Sequence, residues 1–358
     1  MNKLFTTLLL ILSLGSNSFS QNIISIETKP LNIYKEQGEN KQFLNFDFLV
    51  KNNSTDTLRL SKVSVSVYDK KKRLILSRFL DNNGTAPSIQ IIPNREFIGA
   101  ETKLIFNPFT EFNLALPLDT LEYVFEFSNN KREEFIAKTL VSPQKYEQKE
   151  QYAFPLNGKI LVYDGHDFYA HHRRFDFEFA PIKQLGISTN FMRYAYDFVI
   201  LDSANNQYLG SSDKDENYFG FGKSVYAIAD GKVIYATNKH KDDKAFDVPE
   251  ILNNPLELYG NCIAIQHKNG AISIYGHLKQ NSLKVKLGDN VKSKQMIASV
   301  GVSGSSFFPH LHFEVRNSIK SSAEGLPSYF SNIFLFEGNS TTRLKSGFVE
   351  SGNVIYAK

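Results

Sequence analysis

The chain has 358 residues, and its 41 Lys and Arg against 37 Asp and Glu give a formal net charge of +4. Charges of both signs are interspersed, so the clustered basic face of a nucleic-acid binder is not expected, and the single cysteine, Cys262, excludes an intrachain disulfide. The length suffices for two domains with separate cores, and 30 Phe and 17 Tyr without a Trp suit a sheet-rich protein.

Residues 1–20 read as an export signal, with Lys3 as the positive start, 4–14 as the apolar stretch and Ser18-Phe19-Ser20 as a small-residue cleavage pattern. The mature chain is therefore expected in the periplasm or cell envelope. No other segment approaches about 18 consecutive apolar residues, so no integral membrane segment is expected after cleavage. From 21 to 141 short alternating apolar runs (43–51, 57–68, 74–79, 103–106, 121–127) are separated by turn chemistry such as Asn52-Asn53-Ser54, Asn82-Asn83-Gly84 and Asn107-Pro108. That spacing predicts an immunoglobulin-like β-sandwich, and it contains no histidine. The charged, Gln-rich stretch 142–153 reads as a linker.

A second all-β domain is expected over 154–358, with strands at 225–229, 232–237, 262–267, 271–276, 296–300 and 311–315. Asp230-Gly231 and Asn269-Gly270 read as two-residue hairpin turns between strand pairs. Inserts at 203–223 and 238–261 are rich in Asn, Asp and Lys, and segments of that size cap a site or are solvated loops. All eight histidines fall in this domain.

The chemistry concentrates near its end. His310-Leu311-His312-Phe313-Glu314 places two histidines two apart, which on a strand share one face. The small-residue loop Gly301-Val302-Ser303-Gly304-Ser305-Ser306 precedes them, and Tyr275-Gly276-His277-Leu278 lies a strand and a turn earlier. Such a histidine cluster suits a metal ion beside a proton-transfer group. Asp197 stands inside an aromatic and aliphatic run, where a carboxylate needs a cation: a metal, Arg193 or Arg174. Tyr275 reads as structural, His267 as a turn residue and His240 as solvated, while His166 is expected in a loop near the site.

The order His, Asp, Tyr-x-His-Leu, then Gly-x-Ser-Gly-Ser-x-x-x-Pro-His-Leu-His-Phe-Glu resembles the lysostaphin-type zinc metallopeptidases, the LytM-like enzymes that cut peptide cross-links in bacterial cell walls. The resemblance covers 154–316. It implies a LytM-like antiparallel β-sheet domain with Zn2+ held by one histidine, one aspartate and the second histidine of the pair. Carried over, the metal ligands are His172, Asp197 and His312, with His171 as alternate to His172 because neighbours on a strand point to opposite faces. Asp176 is the rival of Asp197, because His172 and Asp176 have the family's compact His-x-x-x-Asp spacing. His277 and His310 match the catalytic, non-ligand histidines, with their division of roles open. The implied activity is a metallo-endopeptidase acting on peptidoglycan peptides, with the N-terminal domain positioning it or receiving a regulatory protein partner. The alternative is a catalytically silent LytM-like module that binds cell wall or activates another wall hydrolase. A lipoyl-type barrel, suggested by Gly231-Lys232-Val233 and Leu287-Gly288-Asp289, leaves the His-Leu-His cluster without a purpose.

Overall fold

In a computed structural model of the chain, residues 23–38 and 40–358 are described; the expected export signal, 1–20, lies outside them. Among the described residues no helix is long and apolar enough to cross a membrane.

The N-terminal part is predominantly β. Strand Thr120–Asn129 alternates half-buried and buried positions along its whole length, the period-2 signature of a strand with one face inside. It pairs with Leu58–Tyr68 on one side and Glu134–Val141 on the other. A second sheet, with order Ile24–Lys29, Asp47–Asn52, Thr102–Phe106, shares its core: Phe48 packs on Tyr123 and Phe125 with ring centroids 4.9 Å apart in both contacts. The stretch expected to link the two halves is itself ordered, since Gln144–Lys145 pairs in parallel with Tyr34–Gln37.

The second part is built on one antiparallel sheet of eleven strands, centred on Ile272–Gly276, Leu311–Arg316 and Tyr196–Ile200. All residues of these three strands are buried, because both sheet faces are covered. Leu311, Phe313 and Val315 point into one core with Phe198, Ile263 and Phe330. A second core, with Phe191, Tyr259 and Ile274, covers the opposite face and takes in Leu104 from the N-terminal part. His310, His312, Glu314 and Arg316 share the parity that faces it.

Asn269-Gly270 does join the paired strands Ile263–His267 and Ile272–Gly276, with Gly270 at φ +87°. Asp230-Gly231 is not a hairpin turn. Strand Ser224–Tyr226 pairs with Met296–Ser299 in a separate two-stranded sheet, whereas Gly231–Ala236 joins the large one. Gly231 is instead a close-approach glycine: a Cβ there would stand 2.5 Å from Ile265 Cγ2.

Candidate metal centre

Strand register assembles the centre. Asp197 lies directly opposite His312, and His312 directly opposite Gly276, so three adjacent strands bring a carboxylate, an imidazole and the residue before His277 into one row. Asp197 Oδ1 stands 3.2 Å from His312 Nδ1, 3.3 Å from His310 Nε2 and 3.7 Å from His172 Nε2. Donor atoms of His172, Asp197 and His312 all lie within 4.8 Å of one another, and all three residues are buried. Two donors about 2.1 Å from a tetrahedral ion are about 3.4 Å apart, so this set fits zinc in both chemistry and size. Burial opposes the ionised form of Asp197, yet His310 and His172 outweigh it and hold the carboxyl well below its usual range.

His172 and His171 lie in a turn rather than on a strand, so the opposite-face expectation does not apply: both imidazoles reach Asp164, with Nδ1 atoms at 2.9 and 3.1 Å from its Oδ2. Both also approach Asp197, His172 Nε2 at 3.7 Å from Oδ1 and His171 Nε2 at 3.8 Å from Oδ2; His172 is buried and falls within 4.8 Å of both Asp197 and His312, while His171 is exposed. Burial, the dominant influence, lowers the His172 pKa and favours the neutral imidazole that a metal requires. Asp176 is outside the cluster; its Oδ1 accepts the backbone N–H of Glu178 at 2.9 Å, beside Leu104 and Phe106.

Asp164 escaped the sequence reading, although it ends an apolar strand much as Asp197 begins one. Its contact with His172 Nδ1 leaves Nε2 directed at Asp197, the carboxylate–imidazole arrangement that orients metal-binding histidines. His312 is backed similarly. Its Nε2 is 3.4 Å from Glu314 Oε1, Glu314 pairs with Arg316, and Arg316 donates to the hydroxyl of Tyr259, whose ring stacks on His312 at 4.5 Å and 19°. Burial lowers the His312 pKa, but Asp197 and Glu314 more than reverse this and raise it to about 9. Burial raises that of Glu314, but Arg316 and His312 overcome it and lower the pKa to about 2. A carboxylate depressed in the folded state stabilises above its unfolded range near pH 4.5 and loses that contribution as pH falls toward 2. In chelator-treated protein the urea midpoint is therefore expected to drop between pH 5 and pH 2 (roughly the span of that titration), and to drop less steeply in Glu314→Gln.

The two remaining histidines are fixed through their Nδ1 atoms. His277 Nδ1 is 2.8 Å from the Ser303 carbonyl and His310 Nδ1 is 2.7 Å from the Phe308 carbonyl. A carbonyl only accepts, so Nδ1 carries a proton in both rings and Nε2 is the atom left for proton exchange. The rings stand 4.9 Å apart. Burial first, then His310 and His312, push the His277 pKa well below its usual value. His277 is at φ +57°, a conformation uncommon for a residue with a side chain, held by its N–H bond to the Tyr259 carbonyl at 2.9 Å and by the Gly301 N–H on its own carbonyl at 3.0 Å.

The supporting loops meet at two glycines. Gly260 and Gly304 have φ +61° and +76°, and a Cβ on Gly304 would lie 2.3 Å from Gly260 N. Ser303 Oγ accepts the Asn261 N–H at 2.9 Å and donates to the Leu278 carbonyl at 2.8 Å across this contact. Gly304→Ala is expected to destabilise the protein by about 1–3 kcal/mol through this overlap, read as a lowered melting temperature.

The insert 238–261 is partly a wall of the centre, since Tyr259 near its end stacks on His312. His240 is not solvated as expected: it is half-buried with Nε2 2.7 Å from Glu257 Oε2. His267 is likewise buried, between the Asp230 carbonyl and Ser273 Oγ at 2.9 Å each. Tyr275 is structural, its hydroxyl accepting the Ile228 N–H at 2.9 Å. His166 packs against the N-terminal part, 3.1 Å from Glu36.

A wholly antiparallel sheet carrying a buried two-histidine, one-aspartate donor set, with two more imidazoles beside it, has the arrangement of an M23-type metallopeptidase site. Residues 218–324 match Peptidase family M23. The chain is 35% identical over 100 residues to the murein hydrolase activator NlpD of Escherichia coli K12, covering 28% of this chain and 21% of that protein. It is 34% identical over 100 residues to the lipoprotein NlpD of Yersinia enterocolitica, covering 28% of this chain and 84% of that protein. Over 58 residues it is 41% identical to the DD-carboxypeptidase/endopeptidase Mpg of Neisseria meningitidis, covering 16% and 13%. The match spans about a fifth of the length of the first of these relatives. The chain belongs to peptidase family M23, as the motif resemblance implied. The family match contains His277, His310 and His312 but neither His172 nor Asp197, so the place of those two in the centre rests on geometry.

Proposed function

We propose that the protein is an exported zinc metallo-endopeptidase that hydrolyses peptide bonds in bacterial peptidoglycan, carrying an immunoglobulin-like N-terminal unit that positions the catalytic half. The observation that carries this reading is the convergence of His172, Asp197 and His312 with the Nε2 atoms of two carbonyl-anchored histidines beside them. Zinc bound there supplies Lewis-acid polarisation of the scissile carbonyl and brings the pKa of water toward neutrality. The chain's own part is proton handling. Neutral Nε2 on His277 or His310 accepts the proton of the attacking water, and the resulting imidazolium hydrogen-bonds the developing oxyanion or protonates the departing amine. The carbonyls of Ser303 and Phe308 keep both rings in the tautomer this requires.

A second reading is favoured by the relatives named murein hydrolase activators: a catalytically silent module that stimulates another wall hydrolase. Zinc content and release of soluble fragments from purified peptidoglycan, with and without chelator, decide between them. Zinc with chelator-sensitive appearance of new peptide termini is expected. Release that appears only when a separate hydrolase is added, unchanged in His310→Ala, would establish the activator instead.

A further inference from the structure

Asp47, fully buried on the N-terminal strand Asp47–Asn52, bridges the two segments that carry His172 and Asp197. Its Oδ1 accepts from Arg173 Nη1 at 2.6 Å and its Oδ2 from Arg193 Nη1. Arg173 directly follows His172, and Arg193 lies just upstream of Asp197. The rest of the Arg173 guanidinium is also engaged by the N-terminal unit: Nε donates to Asn45 Oδ1 at 3.1 Å and Nη2 to the Phe46 carbonyl at 2.8 Å. From the other side Asn190 Nδ2 donates to the carbonyls of His172 and Arg173 at 3.0 and 3.1 Å.

This grip matters unequally for the three donors. Asp197 and His312 are fixed by mutual strand pairing, whereas the backbone around His172 forms turns and has no ladder to hold it. A planar guanidinium one residue away, with each of its three nitrogens hydrogen-bonded, restricts its position strongly. Without Asp47, two buried guanidiniums lose their shared counter-charge and are driven toward water, carrying the His172 segment with them.

We propose that Asp47 is a positioning residue of the metal centre, so that the N-terminal unit, clamped through Arg173 and Arg193, holds His172 within reach of the ion. The inference rests on reading His172, Asp197 and His312 as zinc ligands.

The test is zinc affinity of the full chain, by competition with a chromophoric chelator, together with the visible spectrum of the Co2+-substituted protein. Asp47→Asn is expected to weaken zinc binding about 10- to 100-fold, the usual consequence of removing a group that orients a ligand, and to alter the cobalt spectrum. Arg173→Lys keeps the charge but loses the fork, and is expected to show a smaller loss in the same direction; it carries the test if Asp47→Asn does not fold. Val65→Ala, in the same N-terminal core but away from the clamp, is expected to lower the melting temperature and leave zinc affinity unchanged. Wild-type affinity in the two clamp variants, or an equal loss in Val65→Ala, overturns the proposal. Wild-type protein that binds zinc but releases no fragments overturns the proposed activity while leaving the clamp result intact, and wild-type protein that binds no zinc overturns both.

Discussion

Replacing His312 with alanine is expected to abolish both zinc retention and peptidoglycan hydrolysis. Its Nδ1 is the donor nearest Asp197, at 3.2 Å, and it sits in a strand whose every residue is buried. The loss should exceed the about 10- to 100-fold seen when only an orienting partner is removed, because one of three donors disappears. The fold should survive: Glu314 keeps its pairing with Arg316, and Arg316 keeps the Tyr259 hydroxyl. Equilibrium dialysis for zinc and fragment release measure the two effects. The fitting control is His267→Ala, which removes a buried histidine held between the Asp230 carbonyl and Ser273 Oγ that belongs to none of the clusters able to hold a metal among the described residues; it is expected to keep its zinc. Full zinc occupancy in His312→Ala would remove His312 from the ligand set.

How far the centre was readable follows from how local its determinants are. His310-Leu311-His312 announces itself because strand periodicity is a short-range rule, and continuing it by two and four positions would also have found Glu314 and Arg316 on the same face. Asp197 was legible as a carboxylate in an apolar run. The same reasoning applied to Asp164, at the end of Gly158–Asp164, would have supplied the group behind His172. The choice between His171 and His172 is not legible in the sequence, because the opposite-face rule holds on strands and these two residues form a turn. Asp230-Gly231 misled for a related reason: the dipeptide reports a local turn preference, whereas sheet membership is decided by Met296–Ser299, far along the chain. The contact of Asp47 with Arg173 joins residues 126 positions apart, and nothing in either neighbourhood marks it.

His277→Ala and His310→Ala are each expected to keep zinc while losing about 10²- to 10⁴-fold in hydrolysis, the range for a positioned proton-transfer group. The reason lies in which ring atom is engaged. In both residues Nδ1 is committed to a backbone carbonyl, at 2.8 and 2.7 Å, leaving Nε2 for chemistry. For His277 the separation from the donor set is clear, since its ring packs edge-on to His312 with centroids 5.8 Å apart. His310 is the sharper test. Its Nε2 is 3.3 Å from Asp197 Oδ1, closer than His172 Nε2 at 3.7 Å, so distance to the aspartate alone would permit it to be a ligand in place of His172. What argues otherwise is mutual proximity: His172, Asp197 and His312 form a set in which every pair is within 4.8 Å, and Asp164 stands behind His172 as an orienting carboxylate, whereas His310 has only the Phe308 carbonyl. Zinc content measured on His172→Ala and His310→Ala side by side separates the two arrangements. Zinc lost from the first and retained by the second, with hydrolysis lost from both, is the expected pattern; the reverse pattern would exchange the roles of the two histidines.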